Sequence, residues 1–144
     1  MPEPAARLLD LTRSLRRVGR TATGVDRVEL AYLSELLTRD APLYGLARTA
    51  LGYVLLDRVG MQAFHDRLMG HVPWGRADLM SRLPRGRNVA LIQAESDLRR
   101  LALTRCLPAF LPRMLRRNLP PGFVYLNVGP VSSAHLTLPM IYSV

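Results

Sequence analysis

Four arginines are packed closely together at Arg13, Arg16, Arg17 and Arg20, and the run Thr23-Gly24-Val25-Asp26 follows at once. Guanidinium groups at this density suit an anion, because each offers a planar fork of N–H donors that matches phosphate or carboxylate oxygens. Arg27 falls in the first turn of the helix expected after Thr23, where a cation opposes the helix dipole. A bound anion would explain that placement; pairing with Asp26 or another acid would explain it as well. Further along, the loop Gly70-His71-Val72-Pro73-Trp74 brings an imidazole and an indole close together. Trp74, like Tyr44, has an apolar ring face on which a sugar can stack, and His71 and Trp74 are candidate acceptor contacts. Core packing is the plainer role for either aromatic residue.

Other chemistry finds less support. His65, His71 and His135 have no metal-ligand spacing, and no metal or cofactor is expected. Ser132-Ser133 lack the strand–elbow–helix frame of an activated serine. The single Cys106 rules out an intrachain disulfide framework and reads as a small apolar residue inside a helical pattern.

The elements that must hold these residues alternate. Residues 6–11 read as a buried strand, since Leu8, Leu9 and Leu11 are nearly continuous. Residues 12–23 read as the arginine loop. Thr23 and Asp26 match a capping box, and the helix after them carries Val25, Val28, Tyr32, Leu33 and Leu36 on one face, ending near Arg39. Residues 43–56 suit two short strands, because Gly45 and Gly52 oppose a helix. A helix over 59–69 follows, with Met61, Phe64 and Leu68 on one side; a helical turn over 76–83 ends at Pro84. The longest helical stripe runs over 88–105 through Leu91, Ala94, Leu98, Leu101 and Ala102. A second helix spans 109–118, and Phe123–Val128 reads as a last buried strand. This alternation predicts an α/β fold with a Rossmann-like open, mostly parallel sheet flanked by helices. Ligands on such sheets bind beyond the strand carboxyl ends, which points to the loops at 12–24 and from Gly129 onward.

The bulk properties agree with a folded chain: 144 residues suit one domain, and 49% are apolar. The net charge is +9, carried by 20 arginines and no lysine. Arginine alone points to GC-rich coding, so the charge is weak evidence for nucleic acid, which ranks low as a partner. From Leu98 to Gly122 there are six arginines and no acid. Within that stretch Leu107, Phe110, Leu111, Met114 and Leu115 alternate with Arg113, Arg116 and Arg117. Such a basic amphipathic helix can lie on anionic lipid, although a core helix with one wet basic side is the preferred reading. With no secretory leader pattern at the start and no apolar run long enough to span a bilayer, the expectation is a cytoplasmic chain with a membrane-peripheral surface at most.

The stretches L-L-D-L-T-R, T-G-V-D-R-V-E-L-A-Y-L, L-Y-G-L-A-R-T-A-L-G-Y-V-L-L-D and P-P-G-F-V-Y-L-N-V-G, which lie between Arg7 and Gly129, resemble the N-terminal region of bacterial group 1 glycosyltransferases. These are retaining, nucleotide-sugar enzymes with two Rossmann-like domains. The resemblance implies that residues 1–144 form a single acceptor-side half of the GT-B type. It implies a nucleotide-sugar donor, a glycan or lipid-linked acceptor, and a C-terminal donor domain that this chain lacks. It places Thr23, Gly24 and Arg27 in the cleft between the halves, with Arg20 beside them near the donor phosphates. Residues 130–144 depart from the family pattern, and the chain alone is expected to be inactive. The competing expectation is a non-catalytic basic module for nucleic acid or anionic membrane.

Overall fold

A computed structural model describes residues 5–20, 23–77 and 89–127. The expected turn over 76–83, apart from Arg76 and Ala77, lies outside these residues, as do Ser132, Ser133, His135 and the loop from Gly129. The order of elements is β1 (Arg7–Asp10), α1 (Thr12–Arg16), α2 (Gly24–Thr38), β2 (Leu43–Thr49), β3 (Gly52–Leu56), α3 (Arg58–Leu68), α4 (Val89–Leu101), β4 (Thr104–Cys106), a 3-10 turn at Pro108–Phe110, α5 (Leu111–Asn118) and β5 (Val124–Leu126).

The five strands make one open sheet in the order β4-β3-β2-β1-β5. β1 pairs in parallel with both β2 and β5. β2–β3 and β3–β4 are antiparallel. The fold is α/β with helices on the sheet, as expected, but the sheet is mixed rather than mostly parallel. The reason is local: only Ala50 and Leu51 separate β2 from β3, and so short a link can join only antiparallel neighbours.

Side-chain alternation divides the core in two. Leu9, Leu11, Leu43, Ala47, Val54 and Leu56 point to a face where Leu15, Leu33, Leu36, Met61, Phe64, Ala94 and Leu98 from α1 to α4 cover them. Leu8, Leu46, Tyr53 and Leu55 point to the other face, where α5 supplies Leu111, Met114 and Leu115. The two layers are therefore unequal, with four helices against one.

Two elements differ from the sequence expectation. The arginine loop begins with a helix, α1. The Asp10 carboxylate accepts the Thr12 N–H at 2.8 Å and starts the turn, and Leu15 is buried beneath it. The long helix expected over 88–105 stops at Leu101. Leu103 N–H donates to the Leu55 carbonyl, and 104–106 then pair with β3, so Cys106 lies on an edge strand. Helical spacing continues through Ala102, but the free edge of β3 captures the chain beyond it.

Within α2, Leu33 and Leu36 are buried as expected, but Val28 is 58% exposed and Glu29 is buried in its place. The Glu29 carboxylate accepts the Ser14 hydroxyl at 3.0 Å and lies 3.4 Å from Arg13 Nε. At the other end of α2 the Arg58 guanidinium donates to the carbonyls of Leu37, Arg39 and Ala41, satisfying helix-end acceptors that would otherwise lack donors.

Candidate functional site

β1 ends at Asp10, and α1 and the start of α2 gather just beyond that carboxyl end. The capping box forms: Thr23 Oγ1 accepts the Asp26 N–H at 3.3 Å, and Asp26 Oδ2 accepts the Thr23 N–H at 2.8 Å. The same Oδ2 receives Arg17 Nε at 3.1 Å, and Arg13 lies 3.7 Å from Oδ1. Burial works against ionising Asp26, but the hydrogen bonds from Thr23 and Arg17 outweigh it and hold the carboxyl below its ordinary range. For Glu29 burial prevails. It pushes that carboxyl up, against the opposing pull of Ser14 and Arg13.

These bonds sort the arginines. Arg13 and Arg17 are committed to the acids of α2. Arg20 and Arg27 are exposed, and among the described residues neither meets a carboxylate. At the helix start the Asp26 carboxylate takes the N–H of the capping residue Thr23. Gly24 is exposed, and a Cβ there would meet nothing within 4 Å, so space does not demand glycine at that position.

A groove of about 200 Å³ opens here. Its walls come from α1 and the residues after it (Arg17, Arg20), the first turns of α2 (Asp26, Arg27), the end of α3 (Arg67) and Trp74. Arg20, Arg27 and Trp74, singled out separately in the sequence, thus line a single space. Thr23, Gly24 and His71 do not line it.

Trp74 is held firmly. Its ring lies 5.9 Å from that of Phe64, tilted by 56°. The next residue, Gly75, donates its N–H to Asp97 Oδ2 at 2.8 Å. Asp97, on α4, also accepts Arg67 Nε at 3.0 Å and Arg100 at 2.6 Å. One nearly buried carboxylate therefore ties α3, α4 and the tryptophan loop together. A Cβ on Gly75 would lie 2.6 Å from Asp97 Oδ1, so a larger residue there would push the carboxylate or Arg100 aside.

No family model, curated protein or solved structure matches the chain.

Sequence reasoning missed a brace at the strand ends. Tyr125 Oη, on β5, donates to Asp10 Oδ2 at 2.5 Å. Burial and the adjacent carboxylate push the phenol well above its ordinary value, so it stays protonated as the donor. An acid within a buried strand was the available signal; its partner, 115 residues away, left none. Arg48 was missed as well. Its backbone N–H donates to Thr12 Oγ1 at 3.0 Å, and its guanidinium carbon lies 5.7 Å from the centre of the Tyr53 ring.

His65 is half-buried, with Nε2 2.7 Å from the Ser34 hydroxyl. That hydroxyl also donates to the Leu30 carbonyl at 2.9 Å. Cys106 is partly buried, and burial raises its thiol pKa, which opposes thiolate chemistry. Among the described residues, no group of three His, Cys, Asp or Glu side chains gathers as metal ligands, and no helix is long and apolar enough to cross a membrane. On α5 the apolar side, Leu111, Met114 and Leu115, packs on the sheet; Leu107 and Phe110, just before it, are 61% and 52% exposed. Arg113, Arg116 and Arg117 face outward beside them.

Proposed function

We propose that this chain is the acceptor-side lobe of a nucleotide-sugar-dependent glycosyltransferase, and that the Trp74 groove receives the acceptor. The observation that carries the reading is the convergence of Arg20, Arg27 and Trp74 on one groove beyond the carboxyl end of β1. The sequence stretches that resemble group 1 glycosyltransferases supply the activity. An indole wall with guanidinium donors suits a ring with one apolar face and a rim of hydroxyl oxygens. In the proposed reaction the bond from the anomeric carbon to the diphosphate breaks, and a bond to the acceptor hydroxyl oxygen forms. The hydroxyl loses its proton, and the nucleoside diphosphate leaves with the bonding electrons. The donor belongs to a second α/β domain, and no residue of this chain is assigned as catalytic.

Trp74 is the only tryptophan, so its emission reports on the groove alone. Titration with a panel of neutral mono- and oligosaccharides is expected to change that emission saturably for at least one member. Arg20→Gln and Arg27→Gln should weaken the response. A panel without a binder, or a response indifferent to both substitutions, refutes the reading. The activity is checked on the longest reading-frame product that contains this chain, by release of nucleoside diphosphate from nucleotide sugars.

One observation favours a second reading, a peripheral surface for anionic membrane: exposed Leu107 and Phe110 stand beside outward-facing arginines. Co-sedimentation with phosphatidylserine vesicles should fall in Leu107→Ser and Phe110→Ser and fall further with salt. Equal sedimentation with neutral vesicles refutes it.

A further inference from the structure

A second cavity, of about 600 Å³, shares Arg17 and Arg20 with the Trp74 groove. Arg16, Arg48, Thr49, Ala50 and Glu95 complete most of its lining. Its geometry is fixed from three sides. Arg16 stands at the end of α1. The backbone of Arg48 is fastened to the first turn of α1 through Thr12. The β2–β3 turn is fastened to α4, where Glu95 Oε1 accepts the Ala50 N–H at 3.3 Å.

Four guanidinium groups line this space against one carboxylate. Arg17 is committed to Asp26. Among the described residues Arg16, Arg20 and Arg48 meet no carboxylate, and the Tyr53 ring holds the Arg48 cation without neutralising it. Cations gathered on a concave wall repel one another and focus a positive potential into the cavity. A multiply charged anion with oxygens on several sides relieves that repulsion, and the forked donors suit phosphoryl oxygens.

We infer that this cavity takes a diphosphate group, carried by the same ligand whose ring end occupies the Trp74 groove, with Arg17 and Arg20 at the junction. The ring end rests on the proposed function; the diphosphate site does not. The ligand would then be a saccharide that carries a diphosphate, its neutral ring portion being the part that the groove binds by itself. With the groove holding the acceptor, that ligand is a lipid-linked diphosphate; a nucleoside diphosphate shares the chemistry and is the alternative source that the test separates.

The test is calorimetric titration of the 144-residue chain with inorganic pyrophosphate at low salt. Arg16→Gln and Arg48→Gln lie on exposed side chains and leave the core intact. Each should weaken binding by about tenfold, the loss of one charge-assisted hydrogen bond. Glu95→Gln, which removes the opposing charge, should tighten it. Arg13→Gln should leave it nearly unchanged, since Arg13 faces Asp26 and Glu29. Undetectable binding to the unmodified chain, or affinity indifferent to Arg16→Gln and Arg48→Gln, overturns the inference. Parallel titrations with uridine diphosphate and geranyl diphosphate identify the source by which exceeds bare pyrophosphate. Pyrophosphate binding with no saccharide binding upholds this site and removes the groove's proposed role. The reverse pattern removes this site alone.

Discussion

Asp97→Asn should loosen the tryptophan loop and the fold together. The carboxylate is 5% exposed and accepts three donors: Arg67 Nε, Arg100 and the Gly75 N–H. Arg100 is 46% exposed, so its share is that of a surface pair, about 0–1 kcal/mol. Arg67 and Gly75 donate to a charged acceptor out of water, at about 1.5–3 kcal/mol each. Asparagine keeps one acceptor oxygen and turns an NH2 group toward a donor, so at least one of these bonds is lost and another weakened. The expected cost is about 3 kcal/mol, within the range for breaking a buried pair. In a chain of this size that lowers the melting temperature by about 10 °C. The assay is a thermal melt by circular dichroism together with the emission maximum of Trp74, which should move to the red as the indole leaves Phe64. A loss under about 1 kcal/mol, or an unmoved emission maximum, would refute the view that one carboxylate holds the groove wall in place.

Gly52→Ala should destabilise by about 2 kcal/mol or more, because φ is +113° and a Cβ would lie 2.4 Å from the Cys106 carbonyl oxygen; a denaturant midpoint unchanged from wild type would contradict the pairing of β3 with β4. Leu115→Ala should cost about 2–5 kcal/mol, since α5 is the helix whose buried leucine and methionine cover the second face; the same titration measures it. The two α2 acids should show opposite pH signatures in melts. The stabilisation from Asp26 is complete above its ordinary pKa of 3.8 and is lost as pH falls through its lower folded value, so Asp26→Asn should flatten the acid limb. The contribution of Glu29 is complete below its ordinary 4.5 and is lost as pH rises through its higher folded value, so Glu29→Gln should remove a decline on the way to neutrality.

What the sequence revealed was mostly what a few neighbouring residues decide. The Thr23–Asp26 box, the glycine-marked hairpin of β2 and β3, and the stripe of Met61 and Phe64 on α3 each depend on residues close together in the chain. Strand direction and edge capture do not. Leu98, Leu101 and Ala102 continue a helical rhythm, and only the unpaired edge of β3 explains why 104–106 extend. Val28 and Glu29 exchanged places because Ser14 and Arg13, on a helix hidden within an arginine-rich stretch, offer a carboxylate better company than the apolar core does. The groove was half legible. Arg20, Arg27 and Trp74 stood out by type, but that they converge, and that Arg16 and Arg48 share a second cavity while Arg13 is committed elsewhere, depends on contacts between distant segments.

The position of β1 bears on how the chain acquires its shape during synthesis. β1 lies between β2 and β5, and its terminal carboxylate is bonded to a phenol 115 residues away. The β2–β3 hairpin can zip as soon as it leaves the ribosome, while β1 must wait for almost all of the described chain before its second neighbour arrives. Contacts of such long sequence separation slow the final step, and until then the β5 side of β1 is an unguarded border open to stray strands.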